Sequence, residues 1–143
     1  MKTKRGWLKG PRAIAVYLFY RSGEPLVALA SGGNLPIEAE MLEGLLSVVG
    51  NFVETSVRGA RGYAVTAMKY DGLGIVAVRG EFVTGAALYD GPGYEALKGD
   101  LLRTVRDLEE RHWRTLTNWE DATKIAEGAA DDLSKLLRAP GRK

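Results

Sequence analysis

The chain has 143 residues, of which 45% are apolar and 27% are charged, and its formal net charge is +2. This length and composition are typical of one folded domain and exclude a chain too polar to build a core. The absence of cysteine excludes disulfides, thiolate metal sites and a cysteine nucleophile, and it fits a reducing compartment. We therefore predict a cytoplasmic location.

Positive charge is concentrated at the amino terminus. Residues 1–12 carry five basic side chains and no acid, whereas the remaining residues carry 15 basic and 18 acidic side chains. The five are Lys2, Lys4, Arg5, Lys9 and Arg12. We expect residues 1–12 to form a flexible tail. It is either a solubilising terminus or a contact for nucleic acid or an anionic membrane surface.

The basic residues precede an apolar run at 13–20, which is the arrangement of a secretory signal peptide. Arg21 and Glu24 interrupt that arrangement before the small residues Ala28 to Ala30. Cleavage there would also remove two predicted strands, so we interpret the run as structural. No apolar run reaches the roughly 20 residues that span a bilayer.

The first two predicted elements form a β-hairpin. Residues 13–21 (AIAVYLFYR) and 26–30 (LVALA) are separated by the turn sequence SGEP. Both alternating faces of these strands are apolar, which indicates a sheet covered on each face. Helices are therefore expected on both sides of it.

A helix is predicted over residues 36–57. Pro36 suits its first turn, and Glu38 and Glu40 complement the helix dipole at its amino end. Its apolar positions span an arc of about 180°, which is wider than the usual stripe. Gly44 lies in a narrow stripe at one edge of this arc.

Two interpretations of this edge remain open. One is ordinary tolerance of glycine beside a solvated acidic face. The other is an interface, either between two copies about a two-fold axis or with a partner segment. The candidate interface residues on this helix are Met41, Gly44, Ser47, Val48, Asn51 and Thr55.

Three further strands are predicted at residues 63–70, 74–79 and 82–89. Asp71-Gly72 and Gly80-Glu81 are the turns between them, so the strands form a meander. The glycines of this segment do not match a dinucleotide fingerprint, because a strand follows them instead of a helix. The later segment 90–93 (DGPG) lacks the Lys-Ser/Thr pair of a P-loop.

The last third of the chain predicts two helices, at 94–119 and from about 120 to 137. Residues 117–120 (TNWE) match a capping box between them. His112 falls on the apolar stripe of the first of these helices. It is read as a buried residue with one hydrogen-bond partner, or alternatively as a general base or ligand. We expect the adjacent acids Glu109-Glu110 and Asp131-Asp132 to face solvent, and residues 138–143 to form a flexible tail.

This element order resembles a longin domain and, more broadly, the longin, roadblock and profilin-like group. The residues that carry the resemblance are the hairpin AIAVYLFYRSGEPLVALA, the helix EAEMLEGLLSVVGNFVETSV and the helical pair that begins with LRTVRDLEERHWRTLTNWED. Two helices after the last strand favour longin over roadblock. The resemblance spans residues 13–137, carries no diagnostic motif, and transfers no functional residue.

The resemblance implies a single three-layer α+β domain. Its five-stranded, largely antiparallel sheet would have the order 2-1-5-4-3, with one helix on one face and two on the other. It also implies a small dimerising platform in regulators of small GTPases or in trafficking complexes.

We therefore predict a non-enzymatic protein-interaction module: a homodimeric adaptor or regulator whose partner is a protein such as a small GTPase. No catalytic residue, metal site or cofactor is predicted. The alternative is a PAS-like or profilin-like sensor that encloses a small apolar ligand.

Overall fold

The computed structural model describes residues 13–49, 53–54, 62–92 and 94–138. In chain order its strands and helices are β1 (Ala15–Tyr20), β2 (Pro25–Ala30), α1 (Ala39–Val49), β3 (Val53–Glu54), β4 (Ala64–Tyr70), β5 (Leu73–Arg79), β6 (Val83–Tyr89), α2 (Tyr94–His112), α3 (Trp119–Ala122) and α4 (Ala126–Ser134). Short 3₁₀ turns at Thr115–Thr117 and Thr123–Ile125 flank α3.

The strands form one antiparallel sheet in the order β2-β1-β6-β5-β4-β3. The five long strands have the predicted order 2-1-5-4-3, so the predicted α+β fold is confirmed. The two-residue strand β3 is an addition, and it extends the sheet beyond β4 at the edge opposite β2.

The predicted extent of the first helix was wrong. Residues 36–57 were assigned to it, but the described helix ends at Val49, and Val53 and Glu54 pair with Val65 and Ala64 of β4. The sequence contains a reason, because Gly50 weakens a helix by about 1 kcal/mol relative to alanine. Backbone pairing at the sheet edge is the competing interaction there.

The core has two layers, one on each face of the sheet, as the doubly apolar strands predicted. All six residues of β1 are buried. Val16 and Leu18 pack in the layer that holds α2 and α4. Tyr17 and Phe19 pack in the layer beneath α1, where the Tyr17 hydroxyl donates a hydrogen bond of 2.5 Å to the carbonyl oxygen of Ile37.

The turn between β4 and β5 confirms the Asp71-Gly72 prediction. Both residues have positive φ, 55° for Asp71 and 82° for Gly72. Two successive positive φ values define the tight turn that matches the twist of a β-hairpin, and Asp-Gly is among the sequences that tolerate it best. This turn sets the register in which Tyr70 pairs with Leu73.

The predicted 94–119 helix is shorter than expected, because α2 ends at His112. Asn118 then adopts an extended conformation, and its side-chain oxygen accepts a hydrogen bond from the Asp121 amide at 2.9 Å. The cap is therefore Asn118, one residue later than the predicted Thr117, whose hydroxyl bonds to the Arg114 carbonyl. The final helical segment is also interrupted by a 3₁₀ turn.

The two ends of the described domain meet. Ala13 forms a parallel bridge with Leu137, and the amide of Arg138 donates to the Ala13 carbonyl at 2.8 Å. Within the described ranges, no helix is both long enough and apolar enough to cross a membrane.

Candidate functional site

The outer face of α1 carries the strongest of the predicted surface features. Leu42 and Leu46 point into the core, whereas Met41 is 47% exposed and Val48 is 79% exposed. Gly44 is exposed between them, and a methyl group added there would meet no other atom within 4 Å. The predicted stripe of Met41, Gly44 and Val48 is thus a solvent-facing apolar strip with an open centre.

The polar border of this strip is the pair Glu43 and Ser47. The Ser47 hydroxyl donates to Glu43 Oε2 at 2.9 Å. The two residues are one helical turn apart in sequence, so their side chains are neighbours on the helix surface. The predicted interface residues Asn51 and Thr55 lie outside the described residues, as do the basic residues Lys2, Lys4, Arg5, Lys9 and Arg12.

Strand β2 presents an outer edge next to α1, which packs against it. The amide of Ser31 bonds to the Ile14 carbonyl at 3.0 Å. Hydrogen-bonded pairs alternate along an antiparallel ladder, so Ala28 and Ala30 direct their backbone groups away from β1. In the described part of the sheet no strand pairs with that side, and β2 carries no charged residue that would discourage pairing.

A groove of about 140 Å³ opens at the end of the sheet beneath α1. Phe19 and Leu46 form its buried apolar floor. Its rim is polar: Arg21 and Gly23 come from the end of the β-hairpin, Glu43 and Ser47 from α1, and Arg79 and Thr84 from the facing ends of β5 and β6. Sequence analysis did not assign these residues to one site.

Arg21 lines the end of this groove, but its guanidinium lies against side chains of the layer that holds α2 and α4, on the opposite face of the sheet. Its guanidinium carbon lies 5.5 Å from the Tyr20 ring centroid and 5.3 Å from the Phe82 ring centroid. Its Nη2 donates to the Thr117 carbonyl at 2.8 Å. The guanidinium therefore does not face the space beneath α1.

The prediction that Glu109 faces solvent was wrong. Its side chain is only 5% exposed and binds the turn between β5 and β6. One carboxylate oxygen accepts from the Glu81 amide at 3.2 Å and the Tyr63 hydroxyl at 2.8 Å. The other accepts from the Phe82 amide at 2.7 Å and the Val83 amide at 3.0 Å.

These four bonds determine what Glu109 can do. A carboxylate offers about four acceptor positions, and all of them are occupied by groups of the fold. The carboxylate therefore anchors α2 to the turn instead of presenting a free base. Gly80 makes this possible, because a methyl group there would lie 2.5 Å from Glu109 Oε2.

His112 is half-buried at the last residue of α2, so the expectation of a fully buried histidine was wrong. The helix ends there, and its last turn faces partly outward.

Asp132, also predicted to be solvated, is half-buried and forms an ion pair of 2.7 Å with Arg111. Among the described residues, no group of three or more histidine, aspartate or glutamate side chains could hold a metal ion.

Burial and the adjacent Glu109 carboxylate raise the pKa of Tyr63 well above its ordinary value of 10.0. An unfolded tyrosine loses its proton near pH 10, whereas folded Tyr63 keeps it to higher pH. The stabilisation is thus complete below pH 10 and is lost as pH rises through the folded pKa.

We therefore expect the free energy of unfolding to decline above pH 10, and to decline less steeply in Tyr63→Phe. Denaturant midpoints measured from pH 8 to pH 11.5 test this. The variant should keep part of the slope, because burial also raises the pKa of Tyr17 and Tyr89. Equal slopes in the two proteins would contradict the assignment to Tyr63.

The chain matches no protein-family model, and no curated protein is significantly similar to it. The surfaces described above are therefore the observations from which a function can be inferred.

Two signals in the sequence could have located the groove. Arg21 follows the apolar strand β1 and Arg79 ends the apolar strand β5, and in the observed strand order both strands flank β6. In the sheet, Phe19 pairs with Thr84 and Thr84 pairs with Arg79, so Phe19, Thr84 and Arg79 lie in one row across three strands. That register depends on tertiary pairing, which the sequence pattern alone does not specify.

Proposed function

We propose that this protein is a non-enzymatic interaction module that forms a homodimer through the outer face of α1. The observation that carries the proposal is the exposed strip of Met41 and Val48 on either side of the open Gly44. Large apolar side chains at a solvent-facing strip of a helix suit an interface more than a monomer surface.

The strip is suited to pairing with itself. In a two-fold interface each residue pair occurs twice. Two antiparallel α1 helices that cross near Gly44 would bring Met41 of one copy against Val48 of the other. Gly44 has no side chain to hold the helix backbones apart.

Met41 and Val48 alone provide too little area, since specific interfaces bury about 1,200–2,000 Å² in total. The proposed interface therefore includes the adjacent outer edge of β2. The backbone groups of Ala28 and the amide of Ala30 would pair with another copy and continue the sheet, whereas the Ala30 carbonyl already accepts from the Gly33 amide.

The resemblance to longin domains supports a finer proposal, in which the dimer serves as an adaptor or regulator of a small GTPase. This partner rests on the resemblance alone. The sensor alternative has less support, because the groove beneath α1 has a charged rim and is smaller than the roughly 300–1,000 Å³ of typical ligand pockets. The occupied carboxylate of Glu109 supports a structural role instead of a catalytic one.

Sedimentation velocity over a range of protein concentrations tests the dimer. We expect the wild-type chain to reach twice the monomer mass, and Gly44→Glu with Ser47→Glu to weaken association by tenfold or more. The new carboxylates would face each other across the two-fold axis. The matched control is Gly128→Glu with Ser134→Glu, which makes the same changes at exposed positions of α4.

Loss of association in the α4 control as well as in the α1 variant would contradict the assigned surface. Equal association of wild type and the α1 variant would do the same. A wild-type chain that stays monomeric at every concentration would reject the dimer itself.

A further inference from the structure

We propose that the strip of Met41, Gly44 and Val48 on α1 binds the basic amino-terminal segment of the same chain, residues 1–12, when the protein is a monomer. The segment and a second copy of the chain would then compete for one surface, so the contact restrains self-association. That regulatory consequence rests on the proposed function, whereas the contact itself does not.

The surface around the strip is acidic. Residues 22–49, which include β2 and α1, contain four glutamates and no lysine, arginine or histidine. Three of the glutamates are exposed and one is half-buried: Glu24, Glu38 and Glu40, and Glu43. The ion pairs within the described residues all join other side chains. This negative charge is therefore not neutralised by an ion pair of the described residues.

Helix α2 does not have this imbalance. Its exposed acids Glu95 and Asp100 pair with Lys98 and Arg103 of the same helix, at 3.1 Å and 2.9 Å. A basic segment would have to compete with those bonds. Exposed apolar side chains and unpaired acids occur together on α1, which makes it the more favourable helix for a segment that is both cationic and apolar.

The composition of residues 1–12 complements this surface. The segment has five basic side chains and no acid, and Trp7 and Leu8 form an apolar pair with basic residues on both sides. Opposite charges favour the encounter, and the apolar pair favours the strip.

The strip can accept an indole ring. Gly44 has no side chain, and a methyl group there would meet no other atom within 4 Å, so a flat ring can lie against the helix. Met41 beside it carries a thioether, which makes favourable contacts with aromatic rings. Glu38 and Glu40 lie one helical turn before Met41 and Gly44, within reach of neighbouring basic side chains.

The segment is long enough to reach the strip. The Tyr17 hydroxyl binds the Ile37 carbonyl just before α1, and Tyr17 is four strand residues from Ala13, or about 13 Å. Met41 lies one helical turn beyond Ile37, about 6 Å further. Trp7 precedes Ala13 by six residues, which span up to about 20 Å when extended. Residues 1–6 can therefore continue along α1.

Paramagnetic broadening in the full chain tests the contact. The chain has no cysteine, so Thr3→Cys provides a single site for a nitroxide label. At a concentration where sedimentation velocity shows a monomer, we expect the amides of Met41, Gly44 and Val48 to lose intensity relative to the reduced label. The amide of Gly128, on α4 at the opposite face of the sheet, should keep its intensity.

Salt separates a charge-dependent contact from a purely apolar one. Raising the salt from about 0.01 M to about 1 M shortens the Debye length from about 30 Å to about 3 Å. The intensity at Met41, Gly44 and Val48 should therefore recover at high salt.

Two paired variants of the labelled chain assign the contact to each partner. Trp7→Ser with Leu8→Ser keeps every charge and removes the apolar pair of the segment. Glu38→Lys with Glu40→Lys reverses the charge beside the strip. Each variant should restore most of the lost intensity.

The matched control is Glu110→Lys with Glu127→Lys, which makes the same charge reversal at exposed positions of α2 and α4. It should leave the intensity losses on α1 unchanged. Restoration by this control to the same extent would contradict the assigned surface, because net charge alone would then explain the effect.

Sedimentation velocity tests the regulatory consequence. Trp7→Ser with Leu8→Ser should strengthen self-association by about tenfold, the equivalent of roughly 1.4 kcal/mol. Equal association of this variant and a dimerising wild-type chain would overturn the regulation. If both chains stay monomeric, the dimer is rejected, and intensity losses measured in that monomer would still establish the contact.

Three results would overturn the contact. The first is unchanged intensity at Met41, Gly44 and Val48, including the case in which anionic lipid vesicles immobilise the label and identify a membrane as the partner. The second is an equal loss at Gly128, which would show non-specific proximity. The third is the same loss in an isotope-labelled chain without nitroxide mixed with a nitroxide-labelled chain, which would show that the segment binds a second copy.

Discussion

Replacement of Glu109 by alanine is expected to lower the free energy of unfolding by about 3 kcal/mol or more. The change removes the acceptor of three backbone amides, those of Glu81, Phe82 and Val83, and of the Tyr63 hydroxyl. Each buried donor left without a partner costs about 1–3 kcal/mol. Water can reach part of the exposed turn, which keeps the total below the sum of the individual costs.

The matched control is Glu110→Ala, because Glu110 is the next residue on the same helix and is exposed. It should change stability by less than about 0.5 kcal/mol. Urea unfolding followed by circular dichroism compares the two variants with the wild-type chain. Similar midpoints for Glu109→Ala and Glu110→Ala would contradict the anchoring role of Glu109.

Glu109 also shows why part of this structure was not predictable from sequence. A charged residue beside another glutamate on a helix is ordinarily solvated, and nothing local distinguishes Glu109 from Glu110. The distinction arises from Gly80, which is 29 positions away along the chain and lets the turn approach the carboxylate. Contacts of this kind depend on how α2 is placed over the sheet.

The hairpins and the two-layered core were predictable from strong local signals, whereas the strand order 2-1-5-4-3 was expected from the resemblance to longin domains. Asp71-Gly72 specifies a tight turn, and the doubly apolar β1 requires a layer on each face. The end of α1 was less predictable. Apolar periodicity continued through Val53, whereas the structure pairs Val53 with Val65 of β4. A β-branched residue supports either state, and tertiary pairing decided between them.

The two candidate surfaces also differ in whether the sequence predicted them. Met41, Gly44 and Val48 were predicted from helical periodicity, and the structure places them together on the exposed face of α1. The groove was missed, because Phe19 and Arg79 belong to strands that are distant in sequence and are separated in the sheet by β6.

Substitution of Gly85 by alanine is expected to destabilise the fold by about 2–3 kcal/mol. Gly85 lies on β6, in the centre of the sheet, where α2 crosses closely. A methyl group there would lie 2.6 Å from Val105 Cγ2 and 3.3 Å from Leu101 Cδ1. Both side chains are fully buried, so neither can move away freely, and overpacking of this kind typically costs about 1–3 kcal/mol.

A glycine-to-alanine substitution should have the opposite effect on stability in α2, the helix that packs against Gly85. Gly99 lies within α2, and a methyl group there meets no other atom within 4 Å. Gly99→Ala is therefore expected to stabilise the protein by up to about 1 kcal/mol through helix propensity. Thermal and urea unfolding of Gly85→Ala and Gly99→Ala test this. Equal changes in stability would show that Gly85 is not needed for close packing of α2 on the sheet. Destabilisation by Gly85→Ala with stabilisation by Gly99→Ala would show that the space around each glycine determines the change in stability.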